Sequence, residues 1–74
     1  MLKENKPYFP ILEGEISKRG ILKKDIAELI GITPRALSIK LNGEVDLWWK
    51  EVVGIQSLFP DVPLDQLFSH DANV

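Results

Sequence analysis

The chain has 74 residues, of which 45% are hydrophobic and 27% charged, with a formal net charge of −2. One domain of this size buries only about 60% of its unfolded surface, too little for a large enzyme with an enclosed active site. The absence of cysteine excludes a disulfide framework and a zinc finger. No apolar run reaches the roughly 20 residues of a membrane span and no signal peptide is recognised, so we expect a soluble, cytoplasmic protein without a membrane partner.

Apolar residues recur at helical spacing in the first half of the chain, and glycine follows each segment. The first predicted helix runs from Tyr8 or Pro10 to Arg19. The second covers Lys23 to Ile30, after which Gly31 suits the left-handed conformation that commonly ends a helix. No segment alternates like a strand, so the sequence predicts an all-α fold.

The third predicted helix has the clearest start in the chain. Thr33 is expected to cap it and Pro34 to occupy its first position, where a missing N–H costs nothing. Asn42-Gly43 is expected to end it. Only residues 31–33 then separate the second and third helices, and so short a link is typical of a helix-turn-helix.

The remaining pattern predicts two more helices. Asp46 is expected to cap a fourth helix reaching about Leu58, and Pro60 stops it. A short fifth helix, about Leu64 to Phe68, is expected to pack back on the bundle. Residues 69–74 are interpreted as a flexible tail containing the lone His70, and residues 1–7 as an N-terminal extension of a domain spanning 8–68.

Three segments carry a family resemblance: GILKKDIAELIGIT at residues 20–33, LSIKLNG at 37–43 and FPDVPLDQLF at 59–68. The first two resemble the helix-turn-helix, and the third the closing helix, of Cro/repressor-type (XRE-family) regulators, especially the stand-alone ones carried by phages and prophages. The resemblance implies a five-helix bundle of the lambda-repressor-like DNA-binding type. It also implies a sequence-specific transcriptional regulator, most simply a repressor, in a bacterial or phage-infected cell.

In this family the third helix, here about residues 34–41, lies in the major groove of double-stranded DNA. Its outward positions are therefore the predicted base contacts. Arg35 is the best reader, since its planar fork matches two guanine acceptors, and Ile39 could meet a thymine methyl. A domain this small covers few bases, so we expect a homodimer on a pseudo-palindromic operator. The predicted base contacts are Pro34, Arg35, Ser38 and Ile39.

Phosphate contacts are expected from basic and polar side chains around the same helices. The family usually has a capping Thr or Ser and then a Gln at the start of helix two, where this chain has Leu22 and Lys23. Several candidates also have a plainer reading: Lys23 and Lys24 as a solvated face, Arg35 as an ion-pair partner, Ile39 as a core or partner contact, and Asn42 and Thr33 as helix ends. The predicted phosphate contacts are Lys23, Lys24, Thr33, Lys40 and Asn42.

Trp48 and Trp49 project about 100° apart on a helix, so one is expected in the core and the other near the surface. The predicted dimer interface is Trp48, Trp49 and Phe59, and the alternative is that both tryptophans lie along a broad core stripe. No residue pattern favours catalysis, a small-molecule substrate, a metal or a cofactor. The rival hypothesis is a protein-interaction module on the same fold that has lost DNA binding.

The net charge conceals an uneven distribution. Residues 18–42 hold six basic and two acidic side chains, whereas the rest of the chain holds three basic and nine acidic ones. Positive charge is thus concentrated in the predicted helix-turn-helix, so an acidic total does not exclude a nucleic-acid partner.

Overall fold

The computed structural model describes residues 7–70, and within that range all regular structure is helical. Five helices follow one another, as the sequence predicts: α1 (Pro10–Arg19), α2 (Lys23–Ile30), α3 (Pro34–Leu41), α4 (Trp49–Gln56) and α5 (Leu64–Leu67). None of these helices is both long and apolar enough to cross a membrane. The first six and last four residues of the chain, which include most of the predicted extension and tail, lie outside the described range.

The joint between α2 and α3 forms as predicted. Gly31 takes the left-handed conformation with φ of 79°, and the N–H of Ile32 donates to the carbonyl of Ala27 at 2.9 Å, closing the end of α2. Two residues later Thr33 Oγ1 accepts from the N–H of Ala36 at 3.1 Å and caps α3. Residues 31–33 therefore turn the chain between two well-ended helices.

Helix α4 begins later than the sequence predicts. Its N-cap is Trp48 and not Asp46, and it ends at Gln56, before Leu58. The Trp48 indole has no acceptor for the first N–H groups of the helix. Instead, Glu51 Oε1 accepts the Trp48 backbone N–H at 2.9 Å, which is the reverse half of a capping box.

The core takes apolar side chains from all five helices and from the segment before α5. At its centre, seven large side chains are less than 2% exposed. They come from α1 to α5 and from Phe59, so no helix can be removed without opening the core. These seven are Leu12, Ile26, Leu37, Leu41, Ile55, Phe59 and Leu67.

The predicted tail is wrong at His70, which is anchored to the start of the domain. Its ring Nδ1 lies 2.8 Å from the carbonyl oxygen of Tyr8, and because a carbonyl only accepts, Nδ1 donates. The His70 ring also lies 4.1 Å from the Tyr8 ring and 5.2 Å from the Phe9 ring, between centroids. The two ends of the described chain therefore meet.

Candidate nucleic-acid interface

Helices α2 and α3 each place some side chains in the core and others on the outside of the bundle. Ile26 and Ala27 of α2 and Leu37 and Leu41 of α3 are all buried. This inner packing fixes the two helices against each other and turns the opposite side of α3 outward.

Three of the four predicted base-contact residues, Pro34, Arg35 and Ser38, are exposed on α3, and Ile39 is half-buried. Arg35 and Ser38 are three positions apart, so they lie on the same face of the helix. Among residues 7–70, no carboxylate forms an ion pair with Arg35, which removes the plainer reading of this side chain. The guanidinium is therefore available to an outside acceptor.

The predicted phosphate contacts have different environments. Lys24, Thr33 and Asn42 are exposed, and Thr33 is already committed to the cap of α3. Lys23 is exposed but paired, since its Nζ lies 2.9 Å from Glu13 Oε1 on α1. Lys24 is the one lysine of this group for which the described residues provide no ion-pair partner.

Lys40, which the sequence predicts as a phosphate contact, is paired inside the chain. Lys40 Nζ lies 2.7 Å and 2.9 Å from the two carboxylate oxygens of Glu51, and the two side chains are only 13% and 5% exposed. The Trp48 ring covers the ammonium, with its centroid 5.6 Å from Nζ. A phosphate would have to break a largely buried ion pair to reach this lysine.

Glu51 links the start of α4 to Lys40 of α3, a role that the sequence does not single out. Burial opposes its ionisation, but hydrogen bonds from Lys40 and from the Trp48 backbone outweigh burial and hold its pKa below the ordinary value. The same carboxylate thus caps the start of α4 and neutralises Lys40 of α3. Eleven positions separate it from Lys40, a distance at which no local spacing rule identifies partners.

The basic side chains at the end of α1 are also paired with acids from outside residues 18–42. Arg19 donates to Asp61 at 2.7 Å and to Glu15 at 2.9 Å, and Lys18 lies 3.3 Å from Glu15. The hydrogen bond between Arg19 and Asp61 raises the arginine pKa and lowers that of the aspartate. The positive surplus predicted from the sequence is therefore largely neutralised by folding.

Both tryptophans are exposed, so the expectation that one fills the core is wrong. Trp48 is 64% and Trp49 69% exposed. Because α4 begins at Trp49, Trp48 lies in the cap and not on the helical stripe from which its direction was predicted. Phe59 is fully buried and is removed from the predicted interface.

A separate open groove of about 550 Å³ lies where the N-terminal aromatic residues, the loop after α3 and the C-terminal end meet. Apolar side chains form most of its wall, and Asp46, Asp65 and His70 add polar groups. Within residues 7–70 no group of three His, Asp or Glu side chains could hold a metal ion. The groove includes Tyr8, Phe9, Leu47, Val52, Leu64 and Phe68.

Comparison of the chain with protein-family models, with curated proteins and with solved structures finds no match.

Proposed function

We propose that this protein is a sequence-specific double-stranded DNA-binding regulator of transcription, in which α2, the turn at residues 31–33 and α3 form a helix-turn-helix of the lambda-repressor-like type. The observation that carries the proposal is the outward face of α3. It combines an exposed arginine, to which no carboxylate among residues 7–70 is ion-paired, with a serine one turn later. A helix with such a face is suited to the major groove, where base edges present hydrogen-bond acceptors and donors.

In this arrangement Arg35 reads a guanine and Ser38 an adjacent base, while Ile39, half-buried, offers its exposed part to a thymine methyl. Lys24 and Asn42 meet phosphates and fix the register of the helix on the duplex. Lys23 also contacts a phosphate, once its ion pair with Glu13 is broken. Because these contacts are few, we propose that two copies bind a pseudo-palindromic site, with α3 of each copy one helical turn from the other.

The exposed tryptophans support the dimer. Trp48 and Trp49 are adjacent, and each is more than 60% exposed. Large aromatic side chains dominate the energetics of protein interfaces when a partner buries them. We therefore expect Trp49→Ser to shift the equilibrium from dimer to monomer in light scattering at increasing concentration, whereas a concentration-independent monomer of the unaltered protein contradicts the dimer.

One observation favours the rival function, a protein-interaction module on the same fold. Four of the six basic residues between positions 18 and 42 are paired with acids outside that segment, namely Lys18, Arg19, Lys23 and Lys40. Such internal pairing weakens the field that attracts DNA. The two functions differ in a measurable way, since only a DNA binder has an affinity for duplex DNA, and that affinity falls steeply with rising salt.

The test is binding to a mixed pool of duplex fragments at several salt concentrations. A DNA binder releases counterions from the phosphates, so log K falls linearly with log salt. Lys24→Gln should weaken binding to every sequence and reduce the slope by about 1. The matched control is Lys50→Gln, which removes the same charge at an exposed position of α4. Folded protein that binds no duplex at low salt rejects this function and favours the rival one.

Base reading is tested by selecting bound sequences from a random pool. Arg35→Ala should relax the preference at one base position, equivalent to about 1–3 kcal/mol of discrimination, without changing the preference elsewhere. A selected consensus identical to that of the unaltered protein contradicts the assignment of Arg35 as the reader.

A further inference from the structure

Lys23, at the start of α2, is held by a carboxylate from α1. Its Nζ lies 2.9 Å from Oε1 and 3.2 Å from Oε2 of Glu13. The side chain of Lys23 is 44% exposed and that of Glu13 is 24% exposed. The ion pair is therefore at the surface, where solvent and an approaching polyanion both reach the ammonium.

We propose that Glu13 is an internal competitor for DNA phosphate at Lys23. Carboxylate and phosphate oxygens are the same kind of partner for a lysine ammonium, which is a compact point charge with three donors. A phosphate that binds Lys23 must displace Glu13, so the loss of the internal pair offsets part of the gain. Glu13 thus lowers affinity for any duplex without contacting a base.

Two other lysines of α2 and α3, Lys24 and Lys40, differ from Lys23 in how they are paired. Lys24 has no carboxylate partner among residues 7–70 and meets a phosphate without an exchange. Lys40 is locked to buried Glu51 and does not exchange. Lys23 lies between these extremes, because its pair is exposed and surface ion pairs of this kind are worth only about 0.2–1 kcal/mol.

The consequence is a uniform reduction in affinity. A weaker phosphate contact affects every sequence equally, because phosphate contacts carry no sequence information, and the contacts of α3 with base edges are unaffected by it. Glu13 therefore lowers the affinity for the operator and for non-specific sites by the same factor and leaves the ratio between them unchanged. This role rests on the proposed function of the α2–α3 surface.

The experiment compares Glu13→Gln with Glu28→Gln, an equal loss of negative charge at an exposed position of α2 that has no ion-pair partner in the described chain. Binding to a non-specific duplex is measured at low salt, with helicity checked by circular dichroism. Glu13→Gln should tighten binding about threefold more than Glu28→Gln does, a factor within the worth of a surface ion pair. In a Lys23→Gln background the two variants should have equal effects, because the competitor has lost its target.

Two outcomes overturn the role of Glu13 while the proposed function stands: equal tightening by the two variants in the unaltered background, or an advantage of Glu13→Gln that persists in Lys23→Gln. Failure of the unaltered, folded protein and of every variant to bind duplex at low salt rejects the proposed function and this role together.

Discussion

The first and last turns of α3 each carry one basic side chain, and the two have opposite environments. Arg35 is exposed and has no ion pair among residues 7–70, whereas Lys40 is largely buried, bound to both oxygens of Glu51 and covered by Trp48. The helix is eight residues long, yet one end is available for recognition and the other serves the fold. A basic residue on a candidate recognition helix is therefore no sign of a nucleic-acid contact until the neighbouring helix is known.

The same substitution at the two ends should separate these roles most strongly. Lys40→Met keeps a long side chain but leaves Glu51 buried without its cation, so we expect the free energy of unfolding to fall by about 3 kcal/mol. Arg35→Met should change it by no more than about 0.5 kcal/mol, since it removes an exposed, unpaired charge. Urea titrations measure both values. Equal losses in the two variants contradict the distinction between the ends.

The next largest effect concerns Gly43, the second residue after the end of α3. Gly43 has φ of 83°, and a Cβ at this position would lie 2.6 Å from Cδ1 of the Tyr8 ring. Gly43→Ala therefore combines backbone strain with displacement of a packed aromatic ring. We expect it to lower the free energy of unfolding by about 2 kcal/mol.

Gly31→Ala is the matched control, because φ is also positive there and the space around the added Cβ is open. It should lower the free energy of unfolding by only about 1 kcal/mol, the cost of placing a residue with a Cβ in the left-handed conformation. Thermal unfolding of the two variants measures the difference. A cost for Gly31→Ala as large as that for Gly43→Ala means that the Tyr8 ring yields without penalty.

The smallest effect is the dependence of stability on pH. The pKa of Glu51 is lowered in the folded chain, so its contribution is complete above the unfolded value of about 4.3 and is lost as pH falls through the folded pKa. The free energy of unfolding should therefore decline on acidification from pH 5. Asp61, with a pKa lowered by Arg19, adds a change of the same sign.

In Glu51→Gln the free energy of unfolding should decline less steeply over this pH range, because one of the two carboxylates is gone. Glu44→Gln, at an exposed position in the loop after α3, should follow the unaltered protein. Parallel curves for Glu51→Gln and the unaltered protein would mean that Glu51 ionises equally in the folded and unfolded chains.

Local rules predict the helices wherever the signals lie within a few residues. Thr33 and Pro34 start α3, and Gly31 ends α2, because capping and left-handed turns depend on adjacent backbone groups. The start of α4 is mispredicted because Glu51 satisfies its cap from inside the helix, and an aspartate upstream is the more common signal.

The site is predictable only in part, for a different reason. The exposed positions of α3 follow from helical periodicity and from the buried Leu37 and Leu41. The partners of Lys23 and Lys40 depend on the angles at which α1 and α4 cross the other helices, and these angles are set by the whole core. Sequence arithmetic therefore predicts a positive segment, whereas the folded chain distributes carboxylates over most of it.

The contact between Tyr8 and His70 has a consequence for how the protein can be joined to others. The first and last described segments leave the bundle from one place on its surface, since a tilted contact between the two rings and a hydrogen bond hold them together. A domain fused before residue 7 or after residue 70 would emerge at the same point. The described domain is thus suited to circular permutation, in which a short linker joins residue 70 to residue 7 and new ends are opened in the exposed loop at residues 44–46.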